Sequence, residues 1–450
     1  MKIVIVGAGE IGFHFAEWLA FEKKEVVIID INDEALKRVS DYLDVQTLYG
    51  SGSNPSILEE AGIEEAEILL AVTGSDEVNL IACFFTNILS PRTHKVALIR
   101  NRDYAEYRGE LAKNINLSMV INPELEVVKS ILRIMSAPDV EEINDFMGGR
   151  LKMLGKHLTP ESQLDGLKLM NLSDKIEKHK MIIAALIRDD RLIIPKGKDT
   201  LRAGDLVYFV CENKYLDEIL KLFGPQSRGL KNILIVGGGN IGFALARELE
   251  NTRYNVKLIE KDPKRCQVIS AKLHRAIVLQ GFATDQKFLE QENIGAMDMI
   301  IAITWDEEIN ILSCLLAKRL GAKKTIARIN KFSYIPLVHS IGIDHIVSPR
   351  LSAINSIFPY IHRGQVISMV SIRGKEAEVL EAIVMPNSEI VGVPLKSLKF
   401  LKEALILYIL RGEKFLIPGG DTVINPDDRI IILSKGENVP FIEQALMLKR

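Results

Sequence analysis

Residues 2–12, Lys2-Ile3-Val4-Ile5-Val6-Gly7-Ala8-Gly9-Glu10-Ile11-Gly12, decide the fold. The β-branched run over 2–6 is too short for a helix and suits a buried parallel strand. Each glycine after it has its own task. Gly7 turns the chain, Gly9 lets a pyrophosphate approach the backbone, and Gly12 lets the following helix sit close to the strand. The free N–H groups across Ala8, Glu10 and Ile11 then face phosphate oxygens. A helix is expected from Phe13 to Ala20. A second strand, Val26 to Ile29, ends at Asp30, 18 residues beyond Gly12, where a carboxylate accepts hydrogen bonds from ribose hydroxyls.

The pattern occurs twice. Ile233-Leu234-Ile235-Val236 leads into Gly237-Gly238-Gly239-Asn240-Ile241-Gly242, 230 residues further on, and Glu260 stands where Asp30 stands. Two dinucleotide-type sites are expected; the alternative is that the turns serve packing alone.

The totals limit the function classes. The 450 residues carry a net charge of −2, which argues against non-specific nucleic-acid binding. No apolar run approaches the ~20 residues that cross a bilayer; Ala404–Leu410 is strand-length. The glycines of the first turn break any signal-peptide pattern. Four cysteines without CxxC spacing, with Cys83 and Cys314 at matching repeat positions, predict buried thiols in a cytosolic compartment. The eight histidines show no HxH, HxxxH or HExxH spacing, so no metal site is expected. His14 is expected to face solvent or pack on its helix, with a nucleotide contact as the alternative. No GxSxG or P-loop lysine occurs. The acidic pairs Glu59-Glu60, Glu64-Glu65 and Glu307-Glu308 are expected on solvated helix faces, and Lys23-Lys24 and Lys323-Lys324 at the surface.

Along the chain, strand and helix alternate: helix Asp33–Tyr42, strand Val45–Tyr49, a helix opened by Pro55 and closed at Gly62, strand Ile68–Thr73, a helix from Asp76, strands Lys95–Arg100 and Met119–Ile121, then helix Glu124–Met135 leaving the sheet. This is a doubly wound parallel α/β sheet. From about Val140 the texture changes to strand-like stretches at Lys180–Arg188, Leu192–Pro195 and Leu206–Cys211, with a hairpin turn at Asp189-Asp190. Gly224–Gly229 reads as a linker, after which the programme repeats. The expected domains are therefore 1–136 and 230–362, Rossmann-like, and 137–223 and 363–450, small α+β units.

These residues resemble tandem RCK domains of the TrkA-type peripheral subunits of Trk potassium-uptake systems. The resemblance covers essentially the whole chain. It rests on residues 6–12, Gly50-Ser51-Gly52-Ser53, Leu58-Glu59-Glu60-Ala61-Gly62, Ala71-Val72-Thr73 with Glu77 and Asn79, and the tandem order. It implies a regulatory subunit, not an enzyme. Such a subunit binds NAD(H) and adenine nucleotides (ATP, ADP), forms a ring-shaped homo-oligomer, a dimer or a tetramer, and sits on the inner face of the cell membrane beneath an integral-membrane potassium transporter. By position it implies a first site of Gly7 to Gly12, Asp30, Ser51, Thr73, Gly74 and Arg100. The second comprises Gly237 to Gly242, Glu260, the Phe282 region, Thr304 and Arg328. An NAD-dependent oxidoreductase is the alternative; it needs a proton donor beside the nicotinamide, and the small domains bring no obvious one.

Two departures predict unequal sites. Where the family's fifth strand often carries two arginines near phosphate, the first copy reads Ala97-Leu98-Ile99-Arg100 and the second Ala327-Arg328-Ile329-Asn330; Trp305 also replaces Gly74. Arg328 is expected to strengthen phosphate binding in the second copy, with crowding by Trp305 and Phe282 as the opposing effect.

Overall fold

The computed structural model describes residues 1–446 apart from 22, 102–103, 105–106, 176, 178–179, 190, 225–228, 332–333, 362–365, 373–375 and 399–403. The first lobe runs β1 (Lys2–Val6), α1 (Glu10–Phe21), β2 (Glu25–Asp30), α2 (Asp33–Tyr42), β3 (Gln46–Tyr49), α3 (Pro55–Glu60), β4 (Ile68–Ala71), α4 (Asp76–Leu89), β5 (His94–Leu98), α5 (Arg108–Asn114), β6 (Leu117–Ile121) and α6 (Pro123–Ser136). A small unit follows: β7 (Glu142–Phe146), β8 (Leu151–His157), β9 (Met181–Arg188), β10 (Arg191–Ile193), β11 (Leu206–Glu212) and α7 (Leu216–Leu222). The second lobe comprises β12 (Asn232–Val236), α8 (Asn240–Glu250), β13 (Asn255–Glu260), α9 (Pro263–Ser270), β14 (Ile277–Gln280), α10 (Gln286–Gln291), β15 (Met299–Ala302), α11 (Glu307–Leu320), β16 (Lys324–Arg328), α12 (Ile335–Ser340), β17 (His345–Val347) and α13 (Pro349–Ile361). The last unit holds β18 (Val366–Ile372), β19 (Ala377–Ile383), β20 (Ala404–Arg411), β21 (Lys414–Leu416), β22 (Arg429–Lys435) and α14 (Val439–Leu446). No described helix is long and apolar enough to cross a membrane.

Both lobes carry six-stranded parallel sheets, ordered β3-β2-β1-β4-β5-β6 and β14-β13-β12-β15-β16-β17. Strand order reverses beside β1 and β12, so a crevice opens at the carboxyl ends of β1/β4 and β12/β15. The small units are antiparallel five-stranded sheets, β10-β9-β11-β8-β7 and β18-β19-β22-β20-β21. In each, one arginine forks onto a buried aspartate: Arg188 Nε and Nη2 reach Asp205 at 2.7 Å, and Arg411 reaches Asp428 at 2.9 and 2.8 Å. Strands β7 and β8 are additions to the expected pattern, and helix α1 begins at Glu10, three residues before the expected start. Gly9 already accepts the first helical bond from the Phe13 N–H. The expected helix over 55–62 ends at Glu60, and Gly62 takes a left-handed φ of +72°. Of the linker over 224–229, residues 225–228 lie outside the described residues, as does Asp190 of the hairpin turn.

Helix α6 does leave its sheet, and it goes to the other lobe. Its stripe Val127, Val128, Ile131 and Met135 is buried with Ile233, Ile241, Leu245 and Leu249 of the second lobe. Reciprocally, Ala353, Ile354 and Ile357 of α13 are buried with Phe15, Ala16 and Leu19 of α1. Helices α6 and α13 also pack on each other. A parallel sheet needs both faces covered, and here each lobe borrows part of that cover from the other half of the chain. The two small sheets meet face to face, with Met153, Tyr208 and Val210 against Val379, Leu407 and Tyr408. At their rim Glu381, 2% exposed, accepts the Met147 N–H at 2.9 Å and pairs with Arg429.

The exchange makes a prediction across the halves. Ile131 is fully buried, so Ile131→Ala should cost about 2–5 kcal/mol. Hydrogen exchange should show the lost protection in strands β12–β17, although the substitution lies in the first half.

Candidate functional site

The carboxyl ends of β1, β2, β3 and β4 surround the first glycine turn. Gly7 has φ +113°, and a Cβ on it would lie 3.0–3.1 Å from the backbone of Val72 and Thr73. A Cβ on Gly12 would fall 1.8 Å from the Gly7 carbonyl oxygen, so the helix start and the strand end touch through backbone alone. At Gly9 and Gly74 a Cβ would meet nothing within 4 Å: both border open space. Asp30 ends β2 and closes the turn. Its Oδ2 accepts the Ala8 N–H at 2.5 Å and its Oδ1 the Asn32 N–H at 2.9 Å. Each oxygen keeps a second lone pair for a ligand hydroxyl. Ser51 lies at the rim, its Oγ 2.8 Å from that of Ser53.

Glu10 contributes backbone to the turn, while its carboxylate is engaged elsewhere. Arg38 Nη1 donates to it at 2.7 Å and Arg350, from the other half, lies 3.5 Å away. The Arg38 bond leads the effects that lower its pKa, against desolvation. His14, half-buried, sits 3.2 Å from Glu17.

The second turn repeats this frame. Gly237 has φ +105°, a Cβ on Gly242 would lie 1.9 Å from the Gly237 oxygen, and Glu260 accepts the Gly238 N–H at 2.7 Å and the Asp262 N–H at 2.9 Å. Arg265 Nε donates to the Gly238 carbonyl at 2.8 Å. Ile241 is buried at the start of α8, and Asn240 Nδ2 lies 3.4 Å from Glu124 at the start of α6. The Glu10–Arg350 and Asn240–Glu124 pairs thus occupy equivalent places, each joining a glycine turn to the helix that the other half supplies.

Two buried asparagines hold the loops after β4 and β15. Asn79 Oδ1 accepts the Thr73 N–H at 2.9 Å and its hydroxyl at 2.7 Å, and Asn79 Nδ2 donates to the Leu98 carbonyl at 2.8 Å. Asn310 does the same for Thr304, at 2.8 and 2.7 Å, and for the Arg328 carbonyl at 3.0 Å. In the sequence Asn79 stands only as part of the Ala71-Val72-Thr73 motif. The recurrence of Asn310 one repeat on, each six residues past a threonine, was the available signal for its role.

Three expectations need correction. Arg100 is not on a strand: β5 stops at Leu98, because the Asp76 carboxylate captures the N–H groups of Arg100 and Asn101 at 2.7–3.0 Å. The Arg100 guanidinium turns to the Thr73 carbonyl at 3.1 Å. Glu307 is not solvated. It is 7% exposed and accepts the Lys331 N–H at 3.2 Å, much as Asp76 holds Arg100. Phe282 is 62% exposed at the rim. Trp305, 73% exposed, is the aromatic that approaches the turn: its Nε1 lies 3.8 Å from where a Gly239 Cβ would be.

Leu98 is buried in the apolar core, whereas Arg328 is 5% exposed with its guanidinium 4.4 Å above the Trp305 ring. Its Nε makes no hydrogen bond. Desolvation lowers the pKa of both Arg100 and Arg328, opposed by Asp76 and Glu124 at the first and by Glu124 and Glu307 at the second. A guanidinium remains ionised under such shifts. Between the lobes lies a cleft of about 560 Å³. Gly74, Arg100 and Glu124 line its near side, and Phe243, Arg265 and Lys272 its far side.

Asn79→Ala should lower stability by about 1–3 kcal/mol in denaturant titrations, because the Leu98 carbonyl and the Thr73 N–H lose the partner that Asn79 supplies. Asn310→Ala should cost a similar amount in the second lobe.

Residues 3–123 and 233–349 match the TrkA-N domain, and residues 158–224 and 379–445 the TrkA-C domain. Trk system potassium uptake protein TrkA homolog 1 of Methanosarcina mazei is 35% identical over 99% of both chains. Trk system potassium uptake protein TrkA of Azorhizobium caulinodans is 34% identical over 99% of this chain and 98% of its own length. Among solved structures, the GsuK RCK domain aligns at a TM-score of 0.61 and 19% identity over 99% of this chain and 94% of its own. The GsuK channel bound to NAD aligns at 0.62 and 19%, over 99% and 78%. That likeness shows a shared tandem RCK fold. With both domain types present twice and full-length identity above one third, the chain belongs to the TrkA family of Trk system potassium uptake proteins.

Proposed function

We propose that this chain is the nucleotide-responsive regulatory subunit of a membrane-embedded potassium-uptake partner. It would sit on the cytoplasmic face of the membrane as a homo-oligomer and bind NAD(H) or adenine nucleotides at its two glycine turns. One observation carries the reading. Each turn is joined to a helix from the other half, through Glu10–Arg350 and Asn240–Glu124. A phosphate arriving at either turn therefore alters the charge balance at a contact between lobes, and binding free energy can shift their arrangement only through such differential contacts. The full-length identity to Trk potassium-uptake proteins supports the choice of partner.

The reading is non-catalytic. Asp76 in the cleft is committed to backbone N–H groups, and Glu77 to Ser75 and Tyr104, so neither is a free proton donor for hydride chemistry. Because each chain already contains a pair of lobes, closed symmetry is reached with few chains, as a dimer or tetramer.

The test is co-purification from membranes with a Trk-type transport subunit, with and without nucleotide. Nucleotide-dependent recovery is expected, and absence of the pair under every condition would refute the assignment. Under this reading the carboxylates of Asp30 and Glu260 take the ribose hydroxyls and would repel a 2′-phosphate. Calorimetry should show NAD(H) favoured over NADP(H) by about 1–3 kcal/mol; equal affinities would contradict that placement.

A further inference from the structure

We infer that the two lobes take ligands of different length: a dinucleotide in the first, and an adenosine di- or triphosphate in the second, with Trp305 as the residue that sets the difference. The inference rests on the nucleotide-binding reading above and goes beyond it by assigning a ligand to each turn.

A dinucleotide held by its adenosine ribose and diphosphate must carry its second nucleoside past the loop that follows the fourth strand of the lobe. In the first lobe that way is open. Side-chain atoms added at Gly9 or Gly74 would meet nothing within 4 Å. Beyond Gly74 lies the 560 Å³ cleft, walled on its far side by Phe243, Arg265, Val268 and Lys272. A second nucleoside there finds an aromatic ring and two cations.

In the second lobe an exposed indole borders the same way. Trp305 stands where Gly74 stands, with its Nε1 3.8 Å from the position a Gly239 Cβ would take. The Arg328 guanidinium backs the indole at 4.4 Å. Across the equivalent gap between lobes, Glu10 bridges Arg38 and Arg350 at 2.7 and 3.5 Å, and Arg38 stacks on Phe13 at 4.3 Å. What remains is the ribose carboxylate of Glu260, the amides of the turn, and Arg328. That arginine is 95% buried and its Nε has no partner. An unpaired buried donor favours an anion beside it, and a terminal phosphate brings more charge than the internal diphosphate of a dinucleotide. The first lobe has Leu98 at this position and lacks that attraction.

Calorimetry on the full-length protein with NADH and with ADP, in separate titrations, tests the assignment. The wild type should bind one NADH and two ADP per chain, since the first site also accepts the ADP half of its dinucleotide. Trp305→Gly should raise NADH to two per chain. Gly74→Trp, at a position with ordinary φ and open space, should weaken NADH binding at least tenfold while two ADP still bind. Trp305 is the exposed one of two tryptophans, Trp18 being 8% exposed, so wild-type indole emission should respond to ADP and not to the first equivalent of NAD. Two NADH per wild-type chain, or one NADH in Trp305→Gly alongside two ADP, would overturn the inference and leave the nucleotide-binding reading standing. Absence of ADP binding at both turns would overturn that reading and this inference together.

Discussion

Everything in this molecule depends on the exchange of α6 and α13. A parallel sheet is stable only when both faces are covered, and neither lobe keeps the last helix of its own βα series. Burial of Val128 and Ile131 against the second lobe, and of Ile354 and Ile357 against the first, therefore couples two folds that would otherwise be independent. The first residues of the exchanged helices lie beside the glycine turns. The same exchange that completes the cores thus brings Glu124 and Arg350 to Asn240 and Glu10.

Around that exchange the two halves agree in their frame and differ at their rims. Asp30 and Glu260 close their turns through the same backbone groups, Asn79 and Asn310 brace the same loops, and the Arg188–Asp205 fork returns as Arg411–Asp428. The clearest difference falls at the crevice rim, Gly74 against Trp305, with buried Leu98 against buried Arg328 behind it. Internal positions answer to packing, which both copies share. Rim positions answer to a ligand, and nothing requires the two to be the same.

The glycine turns, the acidic strand ends, the tandem order and most strands were legible in the sequence because each rests on local chemistry. A strand–glycine–helix transition needs backbone geometry only a few residue types allow, and β-branched runs show their period directly. The destination of α6 was not legible. An apolar stripe at helical spacing says that something covers it, not which lobe does. Arg100 and Glu307 were misplaced for a related reason. Their positions are set by bonds between a carboxylate and backbone N–H groups 24 residues away, and no periodicity records an acid paired with backbone. Strands β7 and β8 escaped because polar residues interrupt them: Asn144, Asp145, Lys152 and Lys156 sit within them.

Since both partners of the helix exchange belong to one polypeptide, their pairing is unimolecular. A complex of two separate single-lobe chains would part on dilution, and its two turns would report on protein abundance as well as on ligand. Here connectivity keeps each turn beside the helix of the other half at any concentration. The coupling between the two turns of one chain is then independent of protein concentration.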